Sequence, residues 1–239
     1  MSQDERAELL LGYHHAQPIL VLPNAWDVAS ARALAALPGC RALATSSAAV
    51  ARALGYEDGE QAPAPEMVEF AGRIAEAVDV PVTADLERGY GDWVETARGA
   101  WDLGVVGMNF EDSTAGALVP VEEQVAAIRE IKAAVPSLVL NARVDVFLLG
   151  GDDVDEAVAR ANAYLEAGAD CAYPYSESYT PVPELVERID GPVNVVLEPG
   201  MPHPRELQKI GVARVTWGAR LARYAYDEAV RIAADGLDV

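Results

Sequence analysis

The chain has 239 residues, 51% of them hydrophobic, and 38 acidic against 18 basic residues give it a net charge of −20. That field repels nucleic acid and anionic membranes, so neither is expected as a partner, and an anionic small molecule would need a local cation to bind. Cys40 and Cys171 lie far apart without a C-x-x-C or histidine partner, which argues against a disulfide scaffold or zinc; with no charged-then-apolar leader and no apolar run of membrane-spanning length, a reduced, cytoplasmic protein is expected.

Residues 3–14 read as an amphipathic helical lead-in. Residues 18–23 (PILVLP) form the first strand, ending at Asn24-Ala25-Trp26-Asp27, and residues 28–37 form an Ala-rich helix closed by Pro38-Gly39. The second strand, 41–45, runs into Ser46-Ser47, and a small-residue stretch leads to the acidic, glycine-bearing loop 54–59. Helix 65–78 precedes the third strand, 80–84. Then helix 93–103, strand 106–110, helix 121–134 and strand 138–145 follow in strict alternation. Helix 153–167 is closed by Gly168. Strand 171–175, helix 183–189, strand 192–197, helix 204–210, strand 213–217 and helix 219–234 complete the chain. Eight strands, each followed by a helix, predict one α/β domain, a (β/α)8 TIM barrel spanning residues 1–239 with a helical lead-in. A doubly wound open sheet is the alternative, and no G-x-G-x-x-G supports it.

The stretch Thr83-Ala84-Asp85-Leu86-Glu87-Arg88-Gly89-Tyr90-Gly91-Asp92 organises the rest. A buried strand ends in carboxylates at i and i+2, which point to one face, and two glycines let the backbone turn and approach a ligand closely. Paired hard oxygens beside a pliable loop suit Mg²⁺ with retained waters and a bound substrate, although an acidic strand cap reads the same way. Barrel chemistry sits at the C-terminal strand ends. There the chain places Asn24 and Asp27, Ser46 and Ser47, Asp85 and Glu87, Glu111 and Asp112, Arg143 and Asp145, and Glu198, while strand interiors read as nearly all apolar. Asp85, Glu87 and Glu111, from adjacent strands, repel one another unless a cation holds them, and a hard divalent ion is the natural one. Arg143 can grip a carboxylate or phosphonate bidentately, or else close a salt bridge to Asp85 or Asp145. Ser46 and Ser47 offer N–H and hydroxyl groups to a carboxylate, or cap a helix.

These residues resemble the isocitrate lyase/phosphoenolpyruvate mutase superfamily. Asp85-Leu86-Glu87-Arg88-Gly89-Tyr90-Gly91 is similar to its D-x-D-x-G-[YF]-G segment, Glu111-Asp112 to its E-D, and Ala142-Arg143-Val144-Asp145 to its A-R-[TV]-[DE]. Leu54-Gly55-Tyr56-Glu57-Asp58 is similar to its L-G-x-x-D, and Asn24-Ala25 also fits. The resemblance runs in order from about residue 18 to 218. It implies a (β/α)8 barrel, Mg²⁺ or Mn²⁺, and enolate chemistry on a small anionic 2-oxo or 2-hydroxy carboxylate. It implies metal binding, directly or through water, by Asp85, Glu87 and Glu111. Carboxylate binding falls to Ser46, Ser47 and Arg143, with Asn24 and Glu198 beside the substrate and Asp58 near the reacting group. Dimers or tetramers, often exchanging the last helix, are also implied.

The chain departs from the family at several points. Glu87 stands for an aspartate and Ser47 for a glycine, and residues 113–118 (STAGAL) carry neither the K-[KR]-C-G-H of the lyases nor the lysine and asparagine of the mutases. The seventh-strand end, Asn194 to Pro202, is closer to the lyase pattern. C–C bond cleavage on a small diacid is the leading expectation; a P–C bond enzyme of mutase type and a carboxylate-binding barrel without turnover are the alternatives.

Overall fold

The computed structural model describes residues 1–237. Eight parallel strands close on themselves. They are β1 (Leu20–Leu22, continued by Asn24–Ala25), β2 (Leu43–Thr45), β3 (Val82–Asp85), β4 (Gly107–Glu111), β5 (Val139–Val144), β6 (Cys171–Pro174), β7 (Asn194–Val196) and β8 (Arg214–Thr216). Each pairs with the next from β1 to β6. A bridge between Ala172 and Val193 joins β6 to β7. β7 pairs with β8, and Leu20↔Arg214 returns β8 to β1. The result is the closed (β/α)8 barrel that the alternation predicts, and among the described residues the barrel sheet has no open edge.

The helices are α1 (Gln3–His14), α2 (Val28–Ala35), α3 (Ser47–Leu54), α4 (Ala64–Glu76), α5 (Trp93–Asp102), α6 (Val121–Ala134), α7 (Val154–Glu166), α8 (Val182–Arg188), α9 (Pro204–Lys209) and α10 (Arg220–Leu237). The small-residue stretch after β2 is thus a helix, α3, which Ser46 starts as N-cap and Gly55 ends in a left-handed conformation. Acidic caps start others: Asp92 accepts from the Glu95 N–H and Asp153 from the Glu156 N–H, each at 3.0 Å. α4, α5 and α6 press Met67, Ile74, Ala97, Ala100, Ile128 and Ile131 onto the outward residues of the strands, such as Met108 and Phe110, all within one core. Each such large side chain contributes about 1.5–3 kcal/mol by leaving water.

α1 carries its buried Ala7 and Leu10 to a second, smaller apolar cluster with Leu20, Leu22, Ala42, Ala44, Val106 and Val139. A Cβ on Gly107 would stand 2.8 Å from Thr83 Oγ1 and 2.9 Å from Leu10 Cδ2, so β4 has room for glycine alone where α1 comes close. α10 behaves differently from the other helices. Along its length only Ala222 is buried, while Val230 is 68% and Ile232 58% exposed.

Candidate active site

The turn after β3 is where the backbone is most constrained. Glu87 (φ 49°), Gly89 (φ 84°), Tyr90 (φ 55°) and Gly91 (φ 84°) are all left-handed. Two of these are non-glycine residues, a conformation that costs energy and tends to persist where surroundings hold a functional geometry. The loop holds Glu87 from two sides: the Glu60 N–H donates to its Oε2 at 2.6 Å and the Tyr90 hydroxyl to its Oε1 at 2.9 Å. Glu60 in turn accepts from the Tyr90 N–H at 2.6 Å.

Asp85 sits at the centre of the rim. The Ser47 N–H and hydroxyl both donate to its Oδ2 at 3.0 Å, and Asn109 Nδ2 donates to its Oδ1 at 3.3 Å. Its own N–H donates to Thr45 Oγ1 at 2.9 Å. The Ser47 groups expected to meet a substrate carboxylate thus meet a carboxylate of the protein itself at the start of α3, where the helix dipole favours negative charge. Ser46 does what a residue after a strand commonly does and caps α3, accepting from the Ala49 N–H at 3.5 Å.

Arg143 is held across β5. Its Nε and Nη2 donate to the two oxygens of Asp145 at 2.7 and 3.0 Å, and its Nη1 pairs with Glu111. Burial works against the Arg143 cation, but Glu111 and Asp145 outweigh it and keep the group charged. Asp145, fully buried, also accepts from the Ser113 hydroxyl at 2.6 Å, and its N–H donates to Asp112 Oδ1 at 2.8 Å. Asp112 is itself a buried support, taken by the Tyr164 hydroxyl at 2.8 Å and by Arg160 Nη1 at 3.2 Å.

Two residues placed at the rim by sequence have their polar groups committed to the scaffold. Asn24 donates from Nδ2 to the Thr45 carbonyl and accepts at Oδ1 from the Trp217 N–H, both at 2.7 Å, so it stitches β1 to the ends of β2 and β8. Glu198 pairs with Arg220 at the start of α10, which donates from Nε at 2.7 Å. Arg88, which the mutase alternative would need for a phosphonate, lines the same small pocket but is buried, with its guanidinium taken up by the protein. Its guanidinium meets Gln124 Oε1, Glu123 Oε1 at 2.6 Å and the Glu111 carbonyl at 3.2 Å.

Asp58, Glu87, Arg88, Glu111, Arg143 and residues 113–116 line a pocket of about 240 Å³. The loop around Asp58 desolvates its carboxyl although the residue as a whole is exposed, and with the charge of Asp85 this raises its pKa. Burial, then the charges of Asp58 and Asp85, push Glu87 up to about 7. Burial also drives Glu111 up against the pull of Arg143. The pocket is therefore short of positive charge, which is the electrostatic condition a cation would relieve.

The three carboxylates expected at a divalent ion do not act as one ligand set. Among the described residues, no three histidine, cysteine, aspartate or glutamate side chains stand close enough to grip one ion together. The expectation of three joint ligands is accordingly narrowed: Glu87 is turned to Glu60 and Tyr90, and Glu111 to Arg143. Asp85 and its neighbours offer hard oxygens of the kind Mg²⁺ uses when it keeps several waters and takes one or two carboxylates.

The sequence reading missed the polar interior beneath the rim. Strand interiors are not all apolar: Thr83, Asn109, Asn141, Asn194 and Arg214 are buried. Of these, Asn141 Nδ2 donates to Asn109 Oδ1 at 2.7 Å and Arg214 Nη2 to the same oxygen at 3.3 Å, so the fully buried Arg214 reaches Asp85 through Asn109. The available signal was period-2 alternation within β4, which puts Asn109 on the face of Glu111.

The phosphoenolpyruvate phosphomutase family matches residues 10–237 of the chain, with the site just described inside that span. The chain belongs to the isocitrate lyase/phosphoenolpyruvate mutase superfamily. Its relatives lie on both sides of that name. An uncharacterised protein of Mycobacterium tuberculosis is 35% identical over 229 residues, covering 93% of this chain and 88% of its own. The 2-methylisocitrate lyase of Bacillus subtilis is 32% identical over 205 residues, covering 80% of this chain and 67% of its own. The phosphoenolpyruvate phosphomutase of Streptomyces hygroscopicus is 32% identical over 234 residues, covering 89% and 74%. A crystal structure described as a candidate phosphonomutase from Burkholderia cenocepacia superposes with a TM-score of 0.92 at 35% identity, covering 98% of this chain and 100% of that one.

Proposed function

We propose that this superfamily member is a Mg²⁺-dependent enzyme that acts on a small 2-oxo or 2-hydroxy carboxylate through an enolate, most directly by cleaving a C–C bond. One observation carries the reading: at the C-terminal rim, Asp58, Glu87 and Glu111 line a small pocket together with Arg143, and the charge of Asp85 acts on all three of these carboxyls. Asp85 would hold the metal, with Glu87 and Glu111 reaching it through water, and the metal would supply charge stabilisation to the substrate's oxo oxygen. Arg143, pre-set by Asp145, binds the carboxylate in competition with Glu111. Ser47 orients Asp85, to which both its N–H and its hydroxyl donate. Asp58, on the loop over the pocket, is placed to orient the reacting group.

A P–C bond enzyme is the second reading, favoured by the 32% identity to a phosphomutase that equals the identity to a lyase. Against it, a transferring phosphonate calls for cations, and the guanidinium of Arg88 is buried against Gln124 and Glu123. Turnover of oxaloacetate, alkylmalates and phosphonopyruvate, each with Mg²⁺ or Mn²⁺, separates the two. Cleavage of a carbon acid supports the first reading, and turnover of phosphonopyruvate alone would replace it with the second. The exposed apolar face of α10 supports a homo-oligomer as the working form.

A further inference from the structure

A second cavity, of about 570 Å³, opens between the loops that follow β5 and β6. Phe147, Leu148, Val154 and Tyr175 supply its apolar wall, and Leu148 lines the small acidic pocket as well. Tyr175 is the other shared element, since the guanidinium of Arg143 lies 5.6 Å from the centre of its ring. The two cavities are therefore neighbours, divided by Leu148 and by the Arg143–Tyr175 pair. Leu148 sits on a turn and is 46% exposed, so its side chain can swing aside without unpacking the core.

The charges of the second cavity differ from those of the first. Asp152, Glu177 and Glu184 stand around it, and among the described residues no lysine, arginine or histidine lines it. A second carboxylate entering here would meet only like charge, whereas an uncharged chain would gain burial against Phe147, Leu148, Val154 and Tyr175. The small pocket alone, at about 240 Å³, is below the usual range for sites that enclose a larger ligand, and the neighbouring volume brings the pair within it.

We infer that this cavity is the subsite for an uncharged alkyl arm of the substrate, so that the preferred acid is a 2-oxo or 2-hydroxy monocarboxylate whose chain runs several carbons beyond the bond that is cleaved, with straight-chain 2-oxo acids as its unreactive binding probes. The inference rests on the carboxylate-binding reading above and specifies its substrate. It assigns the head group to Arg143 and the metal side of the pocket, and the tail to the space past Leu148.

Calorimetry with Mg²⁺ present tests this on pyruvate, 2-oxobutyrate, 2-oxopentanoate, 2-oxohexanoate and 2-oxoglutarate. Each buried methylene is expected to tighten binding roughly fourfold. 2-Oxoglutarate, which ends in a carboxylate, should bind no tighter than pyruvate. Val154→Trp, which fills the cavity, should erase the gain from chain length and leave pyruvate unchanged. Ser178→Trp, on an exposed lining residue, gives the same reading should the first variant fail to fold. Pyruvate binding with no dependence on chain length, or with 2-oxoglutarate the tightest ligand, overturns the subsite and leaves the carboxylate site standing. Failure of pyruvate itself to bind overturns both.

Discussion

At the scale of single residues, the rim divides into groups that face the pocket and groups that hold the barrel together. Asn24 belongs to the second kind. Asn24→Ala leaves the Trp217 N–H and the Thr45 carbonyl without their partner, so it should cost about 1–3 kcal/mol of stability, read by urea unfolding. A loss of ligand affinity without that loss of stability would return Asn24 to the binding site. Arg143 needs a gentler substitution. Truncation strands the buried Asp145 and Glu111 charges and so unfolds the protein as well as weakening the ligand. Arg143→Lys keeps the charge but loses the planar fork, and is expected to weaken a carboxylate ligand at least tenfold while a melting curve moves far less. A large fall in melting temperature with unchanged affinity would make Arg143 purely structural.

His14, the last residue of α1, gives a pH dependence of its own. Its Nδ1 lies 2.8 Å from the Leu10 carbonyl, and burial, followed by the charge of Arg214, lowers its pKa from 6.5 to about 3. Between those values the unfolded chain binds a proton that the folded protein refuses, so stability falls as pH drops below about 6.5. The loss approaches about 1.4 kcal/mol per pH unit. The stability gap between the wild type and His14→Leu should therefore shift in the variant's favour from pH 7 to pH 5. A gap that does not change with pH would show His14 to be proton-accessible in the fold.

At the scale of elements, the hairpin Ser113–Thr114 with Ala117–Leu118 closes one side of the pocket. It holds no cysteine, histidine, lysine or arginine, and Ser113 anchors it to Asp145. Cleavage of isocitrate or 2-methylisocitrate leaves a carbanion that needs a proton, and a positioned acid typically contributes about 10²–10⁴-fold. The sulfurs and imidazoles elsewhere do not replace one. Cys171 is fully buried, with its thiol pushed up to about 12, and His203 is an exposed cap whose Nδ1 accepts from the Arg205 N–H at 3.2 Å. Both substrates should be turned over far below the usual median of roughly 10 s⁻¹. Turnover near that value, lost in His203→Ala, would place the proton donor on the loop before α9.

Elements also show how far the sequence could be read. The apolar run into Asp85 and Glu87 was legible because the other strands also end in polar residues, which an isolated acidic strand cap would not explain. α3 was not, because Ser-Ala-Ala-Val-Ala-Arg-Ala-Leu has small residues on every face and no sharp apolar stripe. Asn24 and Glu198 were legible as strand-end residues, but their partners, Trp217 and Arg220, come from β8's end and α10 and have no trace in local sequence. The Arg214–Asn109–Asp85 chain was hidden for a related reason. In strands of three to five residues, alternation says which residues share a face, and only closure of the barrel says which face is inside.

Across the whole chain, a net charge of −20 surrounds a pocket whose Arg143 is kept under guard of Asp145 and Glu111. The last helix presents Val230, Ile232 and Leu237 to solvent, an apolar face that a second copy would cover. Sedimentation should show a dimer or larger assembly, and Ile232→Glu should shift it towards monomer. A monomeric wild type at micromolar concentration would remove the oligomer from the account.

If Asp85 anchors a metal-dependent carboxylate site at the barrel rim, a small dianion should bind only when both the metal and that residue are present. Calorimetry with oxalate, in the presence and absence of Mg²⁺ or Mn²⁺, reads this out. Wild type should bind oxalate only with the metal, and Asp85→Ala should lose that binding while its unfolding transition remains cooperative. Equal oxalate binding by wild type and Asp85→Ala, or binding that ignores the metal, would contradict it.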